Sequence, residues 1–585
     1  MKRHRFKLAG PPARHTYQRR GVIVVLTAFL ITVLFAFMAL SVDTGRVVLT
    51  ETQMQNAVDA ASLAASEEIT AAVYAAGQGQ GSANIDANSI AVSSARAMAA
   101  DVAHRNGVYV NPANDVQFGK RVFDPTSGQW TIQWNATPYS VVKVTARRTN
   151  SDTTAQDGQF PLAFGWAVGK SSLPITTSST AFVEARDLVL CLDYSASMDD
   201  DSSLDSTLSS TEVNAALDNI WTALRTADPK WPGTTTSKFP ATGFGTINSA
   251  AGTSVSSTNT TTIMSTLGLT TNSGGHRKYP FPQSGRNSNN DPNPKESDAT
   301  SDTLWQGYIN YVKGLSGTYS KKYGYRTLVD YLEEQRYDPS QSEDLWRTPE
   351  YPDQALKDGT TLFLNFLKDL NFGDEVGLVV YGQWAVQQKK FYDGVADVDI
   401  SSDPITPDYD KINTIQLHHQ SGEYNGWTAI GDGLLKSWTL LLGDPSVPND
   451  HGFSRYGARP TIILMTDGVT NQAPSGWSMP AGFNWKDWTD YDGNGVADYT
   501  STDVNKKYAF YEATLAIQRG CTIHTVGVGA DADTALLKAI AFAGHGIFID
   551  VPGGSTIAAM KQQMLDAFSQ IAAKVPPAQL IYDSH

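Results

Sequence analysis

Cysteine is nearly absent: Cys191 and Cys521 are the only two in 585 residues, so no disulfide framework can organise the chain. Cys191 lies near the carboxyl end of one apolar run, while Cys521 opens another, CTIHTVGVG. The two therefore fall at opposite edges of any shared sheet, beyond bonding reach, and two buried free thiols are expected. Basic charge is also scarce. The formal net charge is −14, and no domain-scale basic stretch exists to neutralise phosphates, which excludes a general nucleic-acid binder. Catalytic signatures are missing too. No G-x-S-x-G elbow or H-E-x-x-H occurs, and His418-His419 has no partner at a metal-ligand spacing, so an enzyme is not expected.

Charge of either sign disappears between Gly21 and Leu40. At a rise of ~1.5 Å per residue, such a run spans a hydrocarbon core of about 30 Å, which predicts a transmembrane helix over 21–41. Lys2, Arg3, Arg5, Lys7, Arg14, Arg19 and Arg20 precede it with no acid among them. The positive-inside rule then makes 1–20 a cytoplasmic tail and leaves the remainder periplasmic or extracellular. The competing reading is a cleaved signal peptide, but the run is long for an h-region and no small-x-small site closes it. With 41% hydrophobic residues, the chain can form roughly two to four cored domains.

Beyond Asp43 the helix should continue, since Val47, Met54, Val58, Ala61 and Ala65 recur at spacings of three, four and seven before Gly77, Gly79 and Gly81. That stripe either packs on its own domain or meets other membrane-anchored subunits. A second helix, Ile90 to His104, should stop at Asn106-Gly107. Val116-Phe118, Trp130-Ile132-Trp134 and Val141 to Val144 then alternate as short strands. A long helix followed by a small antiparallel sheet is a pilin-like α+β plan for 42–186. The segment RRGVIVVLTAFLITVLFAFMALSVDTGRVVLTETQMQNAVDAASLAA resembles the N-terminus of TadG-like proteins of the Flp (tight adherence) pilus machinery. Its marks are Arg-Gly before the span, Val42-Asp43 and Gly45-Arg46 after it, and the run Gln55 to Ala61. Pilin-like subunits of that system are processed at a Gly followed five residues on by Glu. Here Gly21 is followed at that distance by Leu26, so such processing is not supported.

The centre of the chain is DLVLCLDYSASMDDD, Asp187 to Asp201. Leu188 to Leu192 suit a strand buried on both faces, and Asp193, Ser195 and Ser197 alternate in the turn that follows. The carboxyl edge of an open α/β sheet is where ligands usually bind. These residues form the D-x-S-x-S of the von Willebrand factor A domain, whose metal-ion-dependent adhesion site also uses a distant Thr and Asp. Thr428 in NGWTAIGDGLL and Asp467 in TIILMTDG stand in the family's order. TadG-like proteins commonly carry such a domain downstream. The resemblance implies a doubly wound, mainly parallel, Rossmann-like α/β fold over 187–575, with insertions at 200–349 and 471–503 and a tail at 576–585. Predicted elements are strands at 187–192, 376–381, 461–465, 522–526 and 547–551, and helices at 354–370, 428–442, 504–519, 534–543 and 555–573. Val386 to Phe391 should form an antiparallel edge, and the first insertion should hold helices at 304–312 and 325–337.

Hard oxygen donors of this kind select Mg²⁺ or Mn²⁺. By resemblance, a protein ligand completes the coordination with an acidic side chain. Asp200 and Asp201 stand at the spacing of the second metal site of integrin β chains, or simply open an acidic loop. In DYDGNGVADYTS, Asp490, Asp492, Asn494 and Gly495 match positions one, three, five and six of an EF-hand loop, and Val496 can offer a carbonyl. Ser501 occupies position twelve, so Ca²⁺ there needs Asp498 or Asp503 as a substitute; the alternative is an ordinary Asp/Gly/Asn turn. The function expected is a membrane-anchored, metal-dependent binding protein of Flp pilus assembly or surface attachment, with pilus-assembly components as partners. A von Willebrand A adhesion or sensing receptor unrelated to a pilus is the rival.

Overall fold

The computed structural model describes residues 20–78, 87–199, 253–269, 298–317, 320–324, 327–328, 331, 352–392, 397–422, 427–552, 557–574 and 578–581. Helix α1 (Arg20–Gln78) is bare of protein contacts along its apolar N-terminal stretch, where Ile23 to Leu40 are largely exposed, and then enters a domain. Helix α2 (Ala87–Arg105) packs along it. Ala91, Ala95, Ala99 and Ala103 recur every four residues and are buried together with Ala61 and Ala65 of α1. Four-residue spacing puts small side chains in one row, so the two backbones can approach closely. Met54, Val58, Ala61 and Ala65 are thus spent on the chain's own core.

The same core is floored by strands β1 (Val116–Asp124) and β3 (Val141–Arg148), with β2 (Gln129–Trp134) paired to β1 at the edge outside it. A two-stranded clip, β4 (Phe160–Pro161) with β5 (Ser172–Leu173), encloses a 3₁₀ turn at Gly165–Val168. Strand β6 (Ile175–Phe182) pairs antiparallel with β3 over its whole length. Sequence reading treats Phe160 to Ala185 only as a lead-in, because β6 alternates Thr and Ser rather than large apolar residues. Contacts along α1 run in order: Asp43 meets Ala163 and Phe164, Gln55 meets Ser178, and Ser62 meets Ser179.

Strand β7 (Arg186–Asp193) follows after three residues and is buried at every position. Of the first insertion, the described parts are β8 (Thr253–Ser254), α3 (Thr260–Thr266), α4 (Asp298–Gly314) and β9 (Lys322–Tyr323), with Trp305, Tyr308 and Tyr323 fully buried. The helix expected at 325–337 lies largely outside the described residues. Next come α5 (Asp353–Leu370), β10 (Glu375–Tyr381) and β11 (Ala385–Gln387). The predicted edge 386–391 is split: β11 pairs antiparallel with β10, whereas β12 (Lys390–Tyr392) turns away to pair with β13 (Asp397–Asp399). There the Lys389 carbonyl accepts from Ile400 N–H, ending the first ladder. Helices α6 (Tyr409–Leu417) and α7 (Ile430–Leu442), strand β14 (Arg459–Thr466), helices α8 (Lys486–Thr489) and α9 (Val504–Gln518), strand β15 (Thr522–Val528), helix α10 (Thr534–Ala543), strand β16 (His545–Val551) and helix α11 (Ile557–Ala573) complete the set.

The second sheet has the order β11-β10-β7-β14-β15-β16, parallel except at the β11 edge. Alternate residues of β7 point to opposite faces. Leu188, Leu190 and Leu192 pack with α5, α6 and α11, and Val189 and Cys191 pack with α7, α9 and α10. Both cysteines are buried and free.

Residues expected to form a tail contain β17 (Gln579–Ile581), which pairs antiparallel with Ala181, Phe182 and Thr180 of β6. The first sheet therefore reads β17-β6-β3-β1-β2. Its apolar side chains, Leu580 and Ile581, are too few for a strand signal from sequence. The two sheets meet at the amino edge of the second, where Arg455 is paired with Asp187 and, at 2.9 Å, with Glu375. Arg455 also stacks on Trp130 at 5.1 Å, and Trp130 Nε1 donates to the Tyr456 carbonyl at 2.9 Å.

Candidate metal centre

Parallel pairing of β7 with β14 sets Ile463 beside Leu190 and Leu464 beside Cys191, so both strands deliver carboxylates to one edge two to three residues later. Asp193 ends β7 and is fully buried; Asp467 follows β14 and is nearly so. Asp193 Oδ1 accepts Ser195 N–H at 2.9 Å, and its Oδ2 accepts Thr466 Oγ1–H at 2.6 Å. Ser195 Oγ lies 3.1 Å from Ser197 Oγ, which donates to Asp467 Oδ1 at 2.8 Å. Thr428 comes from the loop before α7. Its N–H donates to Asn471 Oδ1 at 2.7 Å, its carbonyl accepts Asn471 N–H at 3.0 Å, and the next residue, Ala429, donates to the Gly382 carbonyl at 2.7 Å. Thr428 and Ser197 face a common point above Gly468, where a Cβ would sit 3.4 Å from Ser197 Oγ and 3.6 Å from Thr428 Oγ1. Glycine keeps that point open.

All five residues picked out from the sequence thus converge at the carboxyl edge. Asp200 and Asp201 lie outside the described residues. Sequence reasoning missed Thr466, Asn471 and Tyr381. Asn471 stands four residues after Asp467, and that short TDGVTN spacing was its only signal. The Tyr381 hydroxyl donates to the Met465 carbonyl at 2.6 Å and so ties β10 to the cradle across β7. Burial pushes the Asp193 carboxyl up to about 6, although the hydrogen bonds from Thr466 and Ser195 pull the other way. Asp193, Asp467 and the hydroxyls of Ser195, Ser197 and Thr428 are all hard oxygen donors, a set of the kind a divalent Mg²⁺ or Mn²⁺ takes.

A second acidic group occupies the shorter insertion. One carboxylate oxygen from each of Asp490, Asp492 and Asp498 lies within 4.8 Å of the others. Backbone donors organise them: Gly495 N–H reaches Asp490 Oδ2 at 2.8 Å, Asn494 N–H reaches Asp492 Oδ1 at 3.1 Å, and Tyr491 N–H reaches Asp498 Oδ2 at 2.6 Å. Gly493 and Gly495 adopt φ of 72° and 86°, a region that disfavours other residues. Asn494 Oδ1 is engaged by Val496 N–H at 2.8 Å. Asp503 caps α9, its Oδ1 accepting from Asn505 and Lys506 N–H, and is not one of the three clustered carboxylates. Trp477 and Trp485 anchor the insertion against Tyr508 and Phe510 of α9, at 5.2 and 4.7 Å between ring centroids.

These features define an α/β protein with an oxygen-donor cradle, joined to α1, the only helix among the described residues long and apolar enough to cross a membrane. Residues 21–78 match the family model for putative Flp pilus-assembly TadE/G-like (Tad) proteins, in agreement with the resemblance read from the sequence. Solved structures with partial likeness include proximal thread matrix protein 1 from mussel byssus, at 14% identity over 38% of this chain and 42% of that one, TM-score 0.23. A von Willebrand factor type A protein from Catenulispora acidiphila matches at 16% identity over 38% of each chain, TM-score 0.23. The PilB minor pilin from Streptococcus sanguinis matches at 15% identity over 39% of this chain and 56% of that one, TM-score 0.25. The chain thus covers less than two thirds of each of these three proteins. No curated protein matches it.

Proposed function

We propose that this protein is a membrane-anchored, non-enzymatic binding protein of Flp pilus assembly or surface attachment. In this reading 187–575 is a doubly wound domain of the von Willebrand A type that takes a protein partner through Mg²⁺ or Mn²⁺. The observation that carries it is the meeting of Asp193, Ser195, Ser197, Thr428 and Asp467 at one sheet edge, in a chain whose segment 21–78 is TadE/G-like. In the same reading, residues 1–20 stay in the cytoplasm, 21–41 cross the membrane and the remainder lies outside.

The ion would be held by the hydroxyls of Ser195, Ser197 and Thr428, with Asp193 and Asp467 supplying charge directly or through water. Mostly neutral donors leave a divalent ion electron-poor, so it attracts a carboxylate from a partner. Asp193 and Thr466 hold the turn in place, and the Asn471 clamp sets Thr428. Asp490, Asp492 and Asp498, with Asn494 and the Val496 carbonyl nearby, form a Ca²⁺ site that orders the insertion 471–503.

Asp467→Ala in the full-length protein tests the cradle. It should weaken Mg²⁺ or Mn²⁺ binding by about 10- to 100-fold in calorimetric titration and abolish EDTA-sensitive capture of envelope components. Melting should change little, because Asp467 lies beyond the β14 core residues Ile462 to Met465. Metal-independent capture by the unmodified protein would refute the metal-dependent reading.

A further inference from the structure

The clip between β4 and β5 carries an unusual combination: a closed, rigid turn with large apolar side chains facing outward. Lys170 N–H donates to the Gly165 carbonyl at 3.0 Å and Gly169 N–H to the Trp166 carbonyl at 3.2 Å. Gly169 adopts φ of 74°, and a Cβ on Gly165 would collide with the Lys170 carbonyl oxygen and Leu162. This tight turn is fastened to α1 by Asp43, whose two carboxylate oxygens accept Ala163 N–H at 2.8 Å and Phe164 N–H at 2.9 Å. Arg46, one helical turn further on, stacks on Phe160 at 5.1 Å. Yet Trp166 is 75% exposed and Phe164 41% exposed, and Lys170 is exposed beside them.

Position along α1 explains the exposure. Asp43 is three residues beyond Leu40, a rise of roughly 4.5 Å. The headgroup layer beyond the hydrocarbon core is about 5–7 Å deep on each side. Contacts of α1 with the rest of the domain, at Gln55 and Ser62, lie further from the span. Among the described residues, the turn is therefore the part of the domain fastened to α1 closest to the exposed apolar stretch Ile23 to Leu40.

We propose that the Phe164–Lys170 turn is a membrane-interface anchor, which seats Trp166 and Phe164 in the phospholipid headgroup layer and sets Lys170 against lipid phosphate. An indole, apolar in body and polar at its N–H, partitions to that layer, and a lysine head favours its outer boundary. With Asp43 clamping the turn to the helix, the anchor fixes how the domain stands on the membrane. This inference rests on 21–41 crossing the bilayer.

The test uses full-length protein in vesicles of phosphatidylethanolamine and phosphatidylglycerol. Because Cys191 and Cys521 are buried, Trp166→Cys and, as a distant control, Tyr456→Cys each offer one reactive thiol for an environment-sensitive fluorophore; Tyr456 is 92% exposed. Lipids spin-labelled near the headgroup should quench the label at 166 several times more strongly than the label at 456. In unlabelled protein, Trp166→Ala should speed tryptic cleavage after Lys170 several-fold in vesicles and leave it unchanged in detergent. Equal quenching at the two positions, or quenching at 166 only by aqueous iodide, would overturn the anchor. Cleavage at an unchanged rate would likewise overturn it, pointing instead to a protein partner for the turn. Failure of the protein to float with vesicles would overturn the spanning helix and the anchor together.

Discussion

His524 on β15 shows how far burial can shift a single side chain. Its Nδ1 accepts Ile547 N–H at 3.1 Å, and burial, with Arg186 and Lys574 adding repulsion, pushes its pKa from 6.5 down to about 3. As pH falls below 6.5 the unfolded chain takes the proton first, so stability that is full above 6.5 is lost progressively toward 3. Glu512 has the opposite sign. Buried and holding Trp438 Nε1 at 3.0 Å, its carboxyl is pushed up to about 7, so its contribution is full below 4.5 and lost as pH rises through 7. His524→Asn should therefore flatten the acid side of a melting-temperature profile between pH 6.5 and 3 and leave the alkaline side unchanged; an unaltered acid slope would contradict this. At the same scale, Asp193, Ser195 and Ser197 were legible because a turn that gathers ligands needs them at alternate positions, whereas Thr428 and Asp467 were legible only through the family resemblance. Thr466 and Asn471 were not, since a Thr at a strand end and an Asn in a loop also serve many structures that hold no ligand.

Among elements, the helices and parallel strands around β7 were read to within a few residues, because long periodic or wholly apolar segments have one way to be buried. Short pieces escaped: α6, the β12–β13 pair and β17 bury too few side chains to leave a pattern. The insertion 471–503 carries its own prediction. If Ca²⁺ orders it, the ion should raise the melting temperature of the full-length protein, and Asp490→Ala with Asp492→Ala should abolish the rise, because an ion that binds only the folded form stabilises it. No Ca²⁺ response in the unmodified protein would leave the loop as a turn held by its backbone donors. The second measurement, Mg²⁺ titration, should be unaffected by that double substitution.

For the whole molecule, the proposed orientation rests on the Lys and Arg residues of the first twenty positions. Protease added to spheroplasts should digest the chain beyond Ser41 and spare a tag on Met1; loss of the tag would reverse the topology. The two sheets are joined twice. One link is β6 running into β7, and the other is α11 returning to β17, which pairs with β6 at Thr180, Ala181 and Phe182. A tug on the cradle would therefore reach α1 along two cords side by side. Because β17 is drawn along its own axis past β6, its hydrogen bonds would share the load together and would not break in succession. In mechanical terms the two sheets have a doubled attachment, and a load applied at the cradle would meet the β17–β6 pair in shear.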